Sequence, residues 1–169
     1  MARLQSHPKR RSPTGLGIQP GRRHGAAVVE FAFVAIVLGV VVAGMIEMGR
    51  GLMIKELLTD ASREGASTGV ANNKTYDDIY SAVDTILSAN QLPATLSNGK
   101  ATLTVKVATW NSTTQTYSAD TVVTSTTFAP SQYDKVSVKV TVSAKDISWL
   151  FLNYTNGLVE SDTVAMMKQ

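Results

Sequence analysis

The chain has 169 residues, of which 44% are hydrophobic and 17% charged, with no cysteine, two histidines and a formal charge of +3. That length suits about one domain, and the apolar content excludes a disordered chain, which needs little apolar side chain and much charge. The missing cysteines exclude disulfide scaffolds, cysteine-ligated zinc and thiol nucleophiles. His7 and His24, both in a basic leader, leave no histidine triad or histidine-rich metal site.

The charge is unevenly spread. Residues 1–25 hold Arg3, Lys9, Arg10, Arg11, Arg22 and Arg23 and no acid, whereas the remainder has 10 basic and 13 acidic residues. The pI of about 9.2 therefore reports on a short leader. The body lacks the positive field that nucleic-acid binding needs, and no nucleic-acid partner is expected. The leader has three prolines, four glycines and no hydrophobic period, so it reads as an unstructured cytoplasmic tail.

From Ala26 the sequence AAVVEFAFVAIVLGVVVAGMI carries one charge, Glu30. A helix of that length spans roughly 30 Å, the thickness of a bilayer's hydrocarbon core, so residues 26–48 are expected to cross a membrane. The Lys/Arg excess on the N-terminal side predicts that this side is cytoplasmic and that the body lies across the membrane. A cleaved secretory signal fits poorly, because its apolar run is about 7–15 residues and the candidate small-x-small site at Val42-Ala43-Gly44 is weak. A plain signal anchor fits the length but leaves Glu30 without a role. A lone carboxylate in lipid costs about 2.5–3.5 kcal/mol on insertion scales and usually has a partner.

The helical period continues over 49–70. Leu52, Leu57, Leu58 and Ala61 form an apolar stripe, while Lys55, Glu56, Asp60, Arg63 and Glu64 form a charged face. Residues 72–75 read as a break. Thr75 with Asp78 three residues on predicts the N-cap of a second helix with the stripe Ile79, Val83, Ile86 and Leu87, in a region closed by Pro93.

The period then changes to two. Leu103, Val105 and Val107 alternate with polar residues, as do Val136, Val138, Val140 and Val142, which predicts half-buried antiparallel strands. The Thr/Ser-rich region 111–127 suggests a hairpin or irregular strand, and 158–167 a last strand. The expected fold class is α+β: a long N-terminal transmembrane and amphipathic helix laid on a small antiparallel sheet, with 71–169 as an extracytoplasmic domain.

The run Arg22-Arg23-His24-Gly25-Ala26-Ala27-Val28-Val29-Glu30-Phe31 resembles the processing site of type IV pilin-like proteins. In those proteins a membrane peptidase cuts after a glycine, and a glutamate stands fifth in the remaining chain. Cutting between Gly25 and Ala26 would create an amino cation about one turn from Glu30, able to meet Glu30 of a neighbouring subunit in an apolar core. The competing reading places Glu30 near the interface, snorkelling outward beside Arg22 or Arg23. Together with Ile46-Glu47-Met48-Gly49-Arg50 and Ala61-Ser62-Arg63-Glu64-Gly65-Ala66, the run resembles the TadE-like family, pseudopilins of the Tad/Flp tight-adherence pilus system. In that family a proline is common in mid-membrane, where this chain has the Ala35-Ile36 region.

The resemblance implies a minor pilin that is a prepilin peptidase substrate, with no cofactor and no catalysis. Its implied partners are other Tad pilins and pseudopilins, the inner-membrane assembly platform and the lipid bilayer. Gly25 and Ala26 would form the processing site, and Glu30 and Phe31 the start of the assembly helix. Gly39 and Ala43 make a small-xxx-small pair that permits close helix packing. Glu47/Arg50 and Arg63/Glu64 read either as assembly contacts or as solvated pairs on a helix. The alternative function is a signal-anchored extracytoplasmic binding module unrelated to pili.

Enzyme motifs are missing: there is no GxSxG elbow, Walker A loop or HExxH. Asp77, Asp78 and Asp84 lack EF-hand spacing and read as an acidic first helical turn and an exposed face. The Asn-x-Ser/Thr triplets at Asn73, Asn111 and Asn153 arise easily in a Ser/Thr-rich chain.

Overall fold

The computed structural model describes residues 23–147 and 157–169. The leader up to Arg22, and the triplet at Asn153, lie outside the described residues. Helix α1 runs Arg23–Val70 and α2 Tyr76–Ala89. The strands are β1 (Ala101–Ala108), β2 (Trp110–Asn111), β3 (Thr116–Tyr117), β4 (Thr121–Val123), β5 (Lys135–Ser143), β6 (Leu158–Glu160) and β7 (Val164–Met167), with a one-turn helix α3 (Ala144–Ile147) after β5. The fold class is α+β, as the change of hydrophobic period predicts.

The chain divides into two compact units, residues 1–40 and 41–169. In the first, the described residues are all helical, and the side chains from Gly25 to Val40 are exposed on every face. Phe31 and Phe33 are each 73% exposed. An apolar helix with no protein around it needs an apolar solvent. Its best 18-residue window has a mean hydropathy of 2.7, and this is the one helix among the described residues long and apolar enough to cross a membrane.

The second unit is a two-layer sandwich of helices and sheet. The sheet order is β4-β1-β5-β6, with β7 also paired to β5, and all pairings are antiparallel. Register places Val105 opposite Val138 and Val107 opposite Val136, so the odd residues of β1 and the even residues of β5 share one face. Val105, Val136, Val138, Val140 and Val142 on that face are buried under the helices. Thr102, Thr104, Lys106, Lys139 and Thr141 point the other way. One dry face and one polar face is the usual state of an antiparallel sheet.

Helix α2 starts as the sequence predicts. The Asp78 backbone N–H donates to Thr75 Oγ1, and the Thr75 backbone N–H donates to the Asp78 carboxylate at 2.8 Å. That backbone bond, then the Thr75 hydroxyl and Lys74, lower the Asp78 pKa below its ordinary value. Ile79, Val83 and Leu87 are buried. Burial against the core, followed by the neighbouring Tyr80 and Asp77, raises the Tyr76 pKa. Asp84 is not a solvated carboxylate: it accepts the N–H groups of Leu96 and Ser97 at 2.8 and 3.1 Å and fixes the loop after Pro93.

The Thr/Ser-rich region forms the short hairpin β2–β3 followed by β4. The expected last strand is split in two by a bulge. Thr141 pairs with Glu160, but Val138 pairs with Val164. With Ser161 bonded to Val140, Lys139 alone therefore stands opposite Asp162 and Thr163.

Candidate assembly site

Gly25, Ala26, Glu30 and Phe31 all lie within α1, in its first turns, with exposed side chains. The helix begins at Arg23, so the Gly25–Ala26 bond is helical. Glu30 has no side-chain hydrogen bond or ion pair among the described residues. A carboxylate on an otherwise apolar helix surface usually has a partner when the helix lies in a bilayer. Gly39 is also exposed, and a Cβ there would meet nothing within 4 Å.

In the second unit, Ala43, Glu47 and Arg50 are half-buried at i, i+4 and i+7 of α1. The buried stripe that follows is Ile54, Leu58, Ala61, Ser62, Gly65, Ala66 and Gly69. It differs from the stripe expected from sequence at Leu52, which is 60% exposed, and at Leu57, which is half-buried. At 100° per residue, Leu52 sits off the face set by Leu58 and Ala61, and small residues take the place of large ones where the sheet comes closest.

Those small residues explain the third sequence block. A Cβ on Gly65 would stand 2.7 Å from Val83 Cγ2 and 3.3 Å from Val138 Cγ1; on Gly69 it would stand 2.9 Å from Ile79 Cδ1 and 3.1 Å from Val136 Cγ1. The glycines let α1 lie against β5 and α2 at once. Ala61 and Ala66 beside them are fully buried. Arg63 and Glu64 of the same block are exposed, and Arg63 pairs with Asp60 at 3.6 Å, a solvated i,i+3 contact of little energetic weight.

A polar seam fixes the register of α1 on the sheet. Ser62 Oγ lies 2.8 Å from both the Leu58 carbonyl oxygen and Ser161 Oγ, and the Val140 N–H donates to Ser161 Oγ at 2.9 Å. Both serines are buried, so each hydroxyl must be matched. Along the same stripe, Thr59 Oγ1 accepts the Asp162 N–H at 3.3 Å, and Lys55 pairs with the Asp162 carboxylate at 3.2 Å. The bulge between β6 and β7 turns Ser161 and Asp162 onto Lys55, Thr59 and Ser62, which stand at i, i+4 and i+7.

Sequence reasoning missed the Ser62–Ser161 link and the close approach at Gly65 and Gly69. The recurrence of small residues at Ala61, Gly65 and Gly69, each four apart, was the available signal. Nothing local marks Ser161, because its role depends on a strand pairing. Among the described residues no group of acidic or histidine side chains is arranged to hold a metal.

No curated protein and no solved structure matches the chain. The family model described as TadE-like protein matches residues 25–67, a stretch lying wholly within α1 and covering both the apolar turns and the Ala61–Ala66 seat. Over that stretch the chain carries the signature of the TadE-like proteins.

Proposed function

We propose that the protein is a TadE-like pseudopilin, cut after Gly25 by a prepilin peptidase, that takes part in assembling an adhesive Tad/Flp pilus. The observation that carries the reading is the family match beginning at Gly25, with a carboxylate at the fifth position after the bond to be cut and no partner for it among the described residues. The leader is cytoplasmic by its Lys/Arg excess, and the second unit is extracytoplasmic. Cleavage removes the six basic residues of the leader and creates an amino cation at Ala26.

The chemistry asked of the protein is assembly and not catalysis. Glu30 of one mature helix accepts the Ala26 ammonium of a neighbour, and the apolar surroundings strengthen that attraction relative to water. Phe31 supplies apolar contact beside it. Gly39 and Ala43 lower the helix profile for the approach of other pilins or of the inner-membrane platform.

Glu30→Ala tests this reading against a simple membrane anchor. Removing a carboxylate from an apolar span favours insertion by about 2.5–3.5 kcal/mol. The variant should therefore insert fully yet fail to enter pilus assemblies recovered from the membrane. Normal incorporation of the variant would remove Glu30 from the mechanism, whereas absence of the unaltered chain itself from those assemblies would favour the signal-anchored binding module.

A further inference from the structure

Away from α1, aromatic rings gather at the end of the sheet where β5 begins. Trp110 and Tyr117 face each other across the β2–β3 hairpin, with ring centroids 4.9 Å apart and planes at 58°. Lys135 Nζ stands 5.8 Å from the Tyr117 ring centre. Tyr133 and Met167 complete an open trough of about 440 Å³, within the size range of ligand sites. Cross-strand pairing accounts for Trp110 and Tyr117. It also places Met167, 53% exposed, opposite Lys135, but it does not account for Tyr133, which is 51% exposed beside them.

The backbone holds these rings in place. Asp134 is buried and spends its carboxylate on the N–H groups of Trp110, at 2.9 Å, and Ser131, at 2.7 Å. The Tyr133 N–H donates to the Lys168 carbonyl, and the Lys168 N–H donates to the Asp134 carbonyl. Tyr133 itself has φ +68°, a left-handed conformation that costs an L residue free energy glycine would avoid. A bulky exposed residue kept in a strained conformation beside an open trough points to a use for its ring.

The trough is electrically quiet. Lys135 pairs with Asp120 at 3.0 Å, and the Asp134 carboxylate, held by amides, is balanced in net charge by the Lys168 ammonium, which donates to the Pro130 carbonyl. Among the described residues, Trp110 Nε1, Tyr117 Oη and Tyr133 Oη have no protein hydrogen-bond partner. The site thus offers an apolar surface built from rings whose own N–H and O–H groups are unpartnered among the described residues, with no net charge to select an ionic ligand. A hexopyranose has the matching surface: an apolar C–H face that stacks on aromatic rings, and a rim of neutral hydroxyls.

We infer that this trough binds a neutral hexopyranose polysaccharide, through stacking on Trp110, Tyr117 and Tyr133. The inference does not depend on processing at Gly25 or on the pilus reading.

The test uses the full chain in lipid nanodiscs. Retention is measured on beads bearing dextran, mannan or galactan, with polyproline-peptide beads and bare beads alongside. Retention on at least one polysaccharide is expected, unchanged in about 1 M salt, where the screening length is about 3 Å. Tyr133→Gly should weaken retention about tenfold, as loss of a central aromatic contact does, while its thermal midpoint stays at or above that of the unaltered chain. Should Tyr133→Gly lose stability, Met167→Glu, at an exposed position, decides by the same retention readout. No retention on any of the three polysaccharides, retention on polyproline alone, or full retention by the altered chains overturns the proposal.

Discussion

Gly65 is the position where one methyl group should tell most about how α1 is seated. Alanine is the better helix former by about 1 kcal/mol in a helix interior, so Gly65→Ala would stabilise an unpacked helix. In this fold the new Cβ lands 2.7 Å from Val83 Cγ2, 3.3 Å from Val138 Cγ1 and 3.4 Å from Ile79 Cγ2. All three neighbours are fully buried, and a β-branched Val83 has little rotamer freedom with which to move aside. Overpacking of this kind costs about 1–3 kcal/mol, which outweighs the propensity gain and leaves a net loss of about 1 kcal/mol. Gly51→Ala is the control: a Cβ there meets nothing within 4 Å, so the change should be neutral or stabilise by up to about 1 kcal/mol. The assay is urea unfolding of the full chain in detergent micelles, followed by circular dichroism. Adding Val83→Ala to Gly65→Ala should cost less than the sum of the two, with a coupling of at least about 0.5 kcal/mol. If Gly65→Ala proves as stable as Gly51→Ala, the close seating of α1 between α2 and β5 is wrong.

The buried serine pair gives a second test: Ser62→Ala leaves a buried hydroxyl on Ser161 short of a partner and should cost about 1–3 kcal/mol. Ser161→Ala should cost more, because the Val140 N–H also loses its acceptor, and native-state hydrogen exchange should show that amide opening faster. At α2, Thr75→Ala should cost about 1 kcal/mol as a lost N-cap. The Asp78 pKa is lowered by folding, so the carboxylate's contribution is complete above its ordinary value of 3.8 and is lost as pH falls from there through the folded-state value. Asp78→Asn should therefore be less stable than the unaltered chain at neutral pH, with the gap closing below about pH 4; a constant gap would remove the carboxylate from the cap.

The apolar helix, the α2 cap and the two long strands are legible in the sequence because each rests on a local pattern. Glu30 stands out for the same reason, as one charge in an apolar run. Leu52 was misplaced because an apolar residue near a stripe looks like part of it, whereas the buried face is set by where the sheet comes closest, and there glycine and alanine are needed. Ser161, the bulge beside it and the trough around Tyr133 were invisible for another reason. Trp110, Tyr117, Tyr133 and Met167 meet only after strand pairing, and Tyr133's left-handed φ has no glycine to announce it.

The account's central claim is that the first residue of the working protein is Ala26, because only that cut supplies a cation within reach of a neighbour's Glu30. N-terminal sequencing of the membrane-bound protein, produced together with a prepilin peptidase, tests it directly. A sequence beginning Ala26-Ala27-Val28-Val29-Glu30 is the predicted result. A chain that still starts at Met1, or one that starts near Gly44, would contradict it.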